Sequence, residues 1–231
     1  YKALRDTLVL SVNTESDNGN VTVANKLESA GEGAWDGETA AKPKQDENGV
    51  YLISNAAELA WFARGINLLT DEDLYGDSDN PEISAKVVAD IELAGRSWTP
   101  IGDGMTFTGT FDGGGHTISG LYIKTNTAGS GLFGNIMGYT IKDLTVNGEV
   151  SFVTDGRASN ANIGGVVGTA KNSQIIGVTS NVKVITQCTT GNASGTGGIV
   201  GRMTGTSSIT DCVNNGAVTG KQSTGGIAGV F

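Results

Sequence analysis

The chain has 231 residues, 38% of them hydrophobic, enough to fill a core and too many for a disordered polypeptide. A formal charge of −9 and a pI near 4.5 exclude nucleic acid and anionic lipid as attractive partners, because an acidic surface gains nothing from a polyanion. Glycine reaches 36 residues beside 3 prolines without a Gly-X-Y period, which excludes collagen and makes the glycines positional.

The acidity is uneven: residues 1–92 hold 18 acids against 7 bases, and residues 93–231 hold 6 against 8. No run approaches the roughly 20 apolar residues of a membrane span. Tyr1 opens the chain with neither Met nor a leader segment, so a processed or excised piece that adjoins other domains is expected.

Residues 1–31 read as a β-hairpin, with strands over 7–12 and 21–24 around the turn Asp17-Asn18-Gly19-Asn20, which is the tail of a preceding β domain or an edge segment. Residues 32–82 read as an N-terminal cap with a helix over about 55–69. Asn55 is placed to cap it, Glu58 suits a capping box, and Leu59, Phe62, Ala63, Ile66 and Leu69 share one face. That face is expected to cover the near end of a repeat region that begins at residue 83. An acidic loop with Asp71, Glu72, Asp73, Asp77 and Asp79 lies between them; a solvated loop is preferred, and weak calcium binding through its oxygens is the alternative.

Residues 83–231 carry an internal repeat. The motifs Gly131-Leu132-Phe133-Gly134, Gly164-Gly165-Val166-Val167-Gly168, Gly197-Gly198-Ile199-Val200-Gly201 and Gly225-Gly226-Ile227-Ala228-Gly229 recur at two nearly equal steps and one shorter one. Behind the first three come Ile141-Lys142-Asp143-Leu144, Ile175-Ile176-Gly177-Val178 and Ile209-Thr210-Asp211-Cys212, at offsets of 7, 7 and 8. Each coil reads as three short strands separated by Gly, Asn, Thr and Ser, with no helical periodicity. A period of roughly 30 residues predicts a right-handed parallel β-helix, a mainly β solenoid in which each strand pairs with its own copy one coil later. The structural glycines, Gly131, Gly134, Gly164, Gly165, Gly168, Gly197, Gly198, Gly201, Gly225, Gly226 and Gly229, are expected to combine positive φ at corners with close approach of the next coil. The last motif stops at Val230-Phe231, where a strand edge would be bare, so a continuing chain or a partner is expected there.

Cys212 falls in the column of Leu144 and Val178 and reads as inward-facing. Cys188 and Cys212 together read as two buried thiols, with a disulfide between them left open. Trp35, Trp61, Phe62, Trp98, Phe107, Phe111 and Phe133 are assigned to cap or core. Tyr122 and Tyr139 are expected on an outward face, as ordinary surface or, alternatively, as platforms for sugar rings.

From Trp35-Asp36-Gly37 onward the chain resembles the GLUG-repeat proteins. The resemblance rests on Ile53-Ser54-Asn55-Ala56-Ala57-Glu58-Leu59-Ala60-Trp61-Phe62, Ala89-Asp90-Ile91-Glu92-Leu93, Trp98-Thr99-Pro100-Ile101-Gly102, Phe107-Thr108-Gly109-Thr110-Phe111-Asp112-Gly113, Gly115-His116-Thr117-Ile118-Ser119-Gly120-Leu121 and the Gly-Gly-Ile-Val-Gly copies. It implies a pectin-lyase-like β-helix on a bacterial surface, found in adhesin-like proteins and beside the protease domain of surface metallopeptidases. Residues 1–31 more weakly resemble the last strands of fimbrillin-like domains.

His116, after Gly113-Gly114-Gly115, invites a catalytic role, but its nearest acids in sequence, Asp103 and Asp112, form no carboxylate pair of the kind glycoside hydrolysis needs, and a structural His is expected. Arg157 and Arg202 lie near coil turns without the clustered carboxylates of a calcium-dependent lyase. No catalytic residue, metal site or cofactor is therefore expected. The expected function is a non-catalytic structural or adhesive module, extracellular or on the bacterial surface. Its partner would be a host or matrix protein or a glycan. A carbohydrate-active β-helix enzyme and an accessory domain of a surface protease are the alternatives.

Overall fold

The chain divides into two units, Tyr1–Gly33 and Ala34–Phe231. The structure is a computed structural model that describes residues 34–68, 83–102, 108–126, 129–157, 161–190 and 195–231, all in the second unit. The hairpin expected in 1–31, the acidic loop, Leu69, Asp103 and Phe107 lie outside the described residues, as do the side chains of Arg157 and Cys188.

The second unit opens with β1 (Lys44–Gln45), β2 (Tyr51–Ile53) and α1 (Ala56–Leu68). Two shorter coils come next, with β3 (Ala85–Val87), β4 (Ile91–Glu92), β5 (Gly109–Asp112) and β6 (Thr117–Thr125). The first long coil holds β7 (Phe133–Met137), β8 (Tyr139–Lys142), β9 (Thr145–Arg157) and β10 (Asn162–Gly164). The second holds β11 (Val167–Lys171), β12 (Gln174–Ile176), β13 (Thr179–Thr190) and β14 (Gly195–Gly197). The last elements are β15 (Val200–Thr204), β16 (Ser208–Thr210), β17 (Val213–Asn214), β18 (Val218–Thr219), β19 (Thr224–Gly225) and β20 (Ala228–Val230).

These strands form four sheets stacked as a β-solenoid of about 4 turns. The first face runs β2-β3-β5-β8-β12-β16; the second, with the longest strands, runs β4-β6-β9-β13 and ends on β17 and β18. The third is β10-β14-β19 and the fourth β7-β11-β15-β20. Pairing is parallel throughout except for β1, which lies antiparallel on β2. Val167 pairs with Phe133 and Val200, and Ile175 with Ile141 and Ile209, so the repeat spacing read from the glycines is the pairing register itself.

Stacked registers turn alternating apolar residues into interior columns. On the first face Tyr51, Ala85, Phe111, Ile141, Ile175 and Ile209 succeed one another. All but Ile209 are buried. Val166 and Ile199 are wholly buried, and Ile227 packs against them from the final rung. Backbone bonds from Phe133 N to Val166 O (2.8 Å), Val166 N to Ile199 O (3.0 Å) and Ile199 N to Ile227 O (2.9 Å) bind that column together.

The corners are built differently from expectation. None of the eleven motif glycines has positive φ; two other rows turn the chain. Gly138, Asn172 and Gly205 (φ 68°, 50° and 68°) turn it from the fourth face to the first, and Asp143, Gly177 and Asp211 (φ 50°, 62° and 53°) from the first to the second. Asn and Asp tolerate the left-handed region better than other side-chain-bearing residues, which is why glycine is dispensable there. Ten of the motif glycines answer to close approach alone, and Gly226, on the final rung, faces open space. A Cβ on Gly198 would sit 2.2 Å from the carbonyl oxygen of Gly226 and 2.3 Å from the Asn214 amide carbon.

α1 is seated as the capping residues require. Asn55 Oδ1 accepts from Glu58 N (3.0 Å), but the Glu58 carboxylate reaches one residue further back than in a standard box, accepting from Ser54 N (2.7 Å) and the Ser54 hydroxyl (2.8 Å). Leu59, Phe62, Ala63 and Ile66 are buried, and Phe62 meets Tyr51 and Phe111 at centroid distances of 6.1 and 6.0 Å. At its end Asn67 donates to Pro100 O (2.9 Å) and accepts from Gly102 N (2.8 Å). Those groups flank Ile101, which pairs with Phe133 on its other side, so the Asn67 amide fills the place of a preceding strand.

Gly198→Ala is expected to cost about 1–3 kcal/mol, because backbone of the next coil must move. Gly226→Ala meets nothing within 4 Å at a φ that is not positive and should be neutral or slightly stabilising. Thermal unfolding of both variants checks this, and equal losses would contradict it. Asn55→Ala should lower stability by about 1 kcal/mol in the same assay.

Candidate functional site

Two groups of side chains merit a chemical reading: the corner around His116 and the outward side of the second face. The corner arises because the turn Gly113-Gly114-Gly115 ends β5 and delivers His116 to the start of β6, one rung above Asp90. His116 Nδ1 lies 3.2 Å from Asp90 Oδ1, and the same oxygen accepts from Thr117 N at 2.9 Å. Asp112 accepts from Gly114 N (2.8 Å) and pairs with the Lys142 ammonium (3.1 Å) in the next coil. His116 and Asp112 thus share a corner but not a hydrogen bond. The partner of His116 is Asp90, which no local motif announces.

The Thr117 amide, with His116 second, holds the Asp90 carboxyl below its ordinary range. Partial burial pushes Asp112 up, but the Gly114 amide and Lys142 outweigh it, so its net shift is also downward. Both carboxylates are committed to backbone N–H groups that fix the turn and the strand start. Among the described residues of this corner, the carboxylates of Asp90 and Asp112 are both occupied by those N–H groups rather than left facing a substrate bond. Among the described residues, no group of three or more His, Cys, Asp or Glu could hold a metal ion.

Tyr139 corrects the sequence expectation. It is fully buried rather than outward, its hydroxyl donates to Ile83 O at 3.2 Å, and burial drives its phenol well above the ordinary value. It ends a row of touching aromatics, Trp61, Tyr51, Phe62, Phe111, Phe133 and Tyr139. Tyr122, by contrast, is 37% exposed on β6. Cys212 is a free thiol stacked after Leu144 and Val178, but it is half-buried, since it stands on the last rung of its column; that burial raises its pKa. Arg202 pairs in register with Thr169 on the fourth face, away from both groups.

The outward side of the second face has no sequence signature as a unit, because its members are scattered from Thr117 to Asn215 and only register assembles them. Tyr122, Glu149 and Lys183 form one row, with the Lys183 ammonium 3.2 Å from the Glu149 carboxylate. Asn147, Asn181 and Asn215 form another: Asn181 Nδ2 donates to Asn147 Oδ1 (2.7 Å) and Asn215 Nδ2 to Asn181 Oδ1 (2.9 Å). Thr117, Thr145, Thr179 and Val213 form a third. Among its described side chains, no reacting group is set apart from its neighbours.

Comparison with protein-family models, with curated proteins and with solved structures found no match. What fold and site define together is a class: a mainly β, parallel-stacked solenoid.

Depressed carboxylate pKa values at Asp90 and Asp112 contribute stability that is present above the ordinary carboxylate pKa and is lost as pH falls through the lower folded values. The melting temperature should therefore drop below about pH 4. The Asp90→Asn, Asp112→Asn double variant should start lower at pH 7 and show a flatter acid limb. A parallel downward shift at every pH would refute the assignment.

Proposed function

We propose that this chain is a non-catalytic, ligand-presenting module of an extracellular or bacterial cell-surface protein of the GLUG-repeat type, acting as a stiff spacer with an adhesive wall. The order of the motifs from Trp35-Asp36-Gly37 to Gly225-Gly226-Ile227-Ala228-Gly229 supports the family reading. The functional reading is carried by one observation: the longest strands among the described residues, β6, β9 and β13, lie side by side over a buried aliphatic layer and turn ordered rows of side chains outward. Ile123, Val150 and Val184 beneath them are almost wholly inaccessible, so this wall has rigid backing. His116 and Asp112 serve the corner and add nothing to the wall.

The test is display of the whole chain on beads or on a non-adherent bacterium, with adhesion scored on immobilised matrix proteins and glycans and with products assayed in the medium. Adhesion without release of reducing ends or unsaturated sugars is the expected result. Product release abolished by His116→Ala would replace this reading with the enzymatic one.

A further inference from the structure

Resting on the ligand-presenting reading, we infer that the outward side of the second face binds a neutral polysaccharide chain. Among the described residues, five large hydrophobic side chains are exposed: Val88, Tyr122, Val153, Val213 and Phe231. Three of them, Tyr122, Val153 and Val213, belong to this one face. They do not merge into an apolar patch of the sort a protein partner buries. Tyr122 shares its row with Glu149 and Lys183, Val213 comes after three threonines, and Val153 is paired with Gln187. Apolar spots separated by hydrogen-bonding groups match a pyranose chain, whose C–H faces and hydroxyl edges alternate over a similar distance. Tyr122 offers the ring on which such a C–H face stacks.

The amide row supplies the polar half of the match. Asn181 gives one N–H to Asn147 and accepts one from Asn215. An amide has two N–H donors and two acceptor lone pairs, so one of each remains unspent, and the ladder has already fixed their direction. A sugar hydroxyl, which both donates and accepts, meets that pair without leaving either side unsatisfied. Successive rungs stand about 4.8 Å apart, close to one sugar ring along an extended chain laid across the coils. The groups therefore recur in step with the ligand, and little order has to be imposed on binding.

Charge selects the class. Glu149 and Lys183 neutralise one another at 3.2 Å, which leaves Lys124 as the one other charged group among the described outward side chains of β6, β9 and β13. A uronate or sulfated glycan would find no basic cluster there to replace its counterions, whereas a neutral glucan, xylan or mannan requires none.

Affinity electrophoresis and calorimetry of the whole chain against soluble β-glucan, xylan and galactomannan, with polygalacturonate and heparin alongside, test this. Binding to at least one neutral glycan is expected. Tyr122→Ala should weaken it at least tenfold and Asn181→Leu severalfold, with melting temperatures showing that both variants fold. Gln174→Ala, on the first face, should leave binding unchanged. No neutral glycan bound, preference for the polyanions, or binding that survives Tyr122→Ala would each overturn the inference. If beads carrying the chain still adhere to matrix proteins in that event, the ligand class fails while the presenting-module reading stands; if they adhere to nothing, both fail.

Discussion

The described part of this molecule depends on one constraint: each strand after β1 must lie in parallel register on its counterpart in the neighbouring coil. Phe133, Val167, Val200 and Ala228 stand one on the next, and although the last step of that column is clearly shorter than the two before it, all three keep the pairing. The shortening does not shrink the closed part of the coil. Ile175 to Ile209 and Val184 to Val218 keep the long step of the coil before, and only beyond Thr219 does the spacing fall, so that Thr196 pairs with Thr224. The missing residues come out of the overhang in which β9 and β13 run past the coil, where β18 stops early. In this last coil, length varies where no interior column has to be kept in phase.

The same constraint sets what fills the interior. At the helix-bearing end the interior is filled by touching aromatics from Trp61 to Tyr139 and by the Trp35–Trp98 pair at 5.7 Å. Further along, Val166, Ile199, Val182 and Val184 fill the interior, and Gly164, Gly165, Gly197 and Gly198 let successive coils come within backbone contact. Large side chains and absent side chains are two solutions to one packing density. The β1 strand and Asn67 then occupy hydrogen-bonding positions for which the stack has no further parallel strand at that end.

Much of this is legible in the sequence because repetition amplifies weak signals: a step seen twice, with an offset seen three times, identifies pairing that no single strand would reveal. The helix and its buried face are legible from Asn55, Glu58 and the Leu59, Phe62, Ala63, Ile66 pattern. Tyr139 reads as outward from its phenol, although alternation through Tyr139-Thr140-Ile141-Lys142 places it on the side of the buried Ile141; a phenol that finds one backbone carbonyl can be buried like a phenylalanine. The corner rows are hidden because Asp143, Asn172 and Asp211 hold left-handed turns that glycine usually marks. The amide row recurs at the same step as Ile141, Ile175 and Ile209 and so lies within reach of the repeat spacing. The Asp90–His116 contact is hidden for another reason: its members are joined only by register, and register depends on coil lengths that differ among the early coils, where Phe111 to Ile141 and Ile118 to Val146 are unequal steps, both shorter than Ile141 to Ile175.

A solenoid held together this way separates fold from surface more cleanly than a compact domain does. Interior residues are fixed by their columns, and positive-φ corners and close-approach glycines by the backbone. The outward residues of β6, β9 and β13 obey neither requirement, and their substitution costs little as long as strand propensity is kept. Yet the stacking that ignores their identity still dictates their position: any side chain placed there appears at the rung interval and, if repeated, becomes a row. Asn147, Asn181 and Asn215 bond to one another because the core has already brought their amides within 2.9 Å. Recognition by such a wall, as proposed, would therefore be a by-product of stability. A ligand whose own repeat is near one rung needs only the right outward residues, and its selectivity is decided by which rows are amide, hydroxyl, aromatic or charge-balanced.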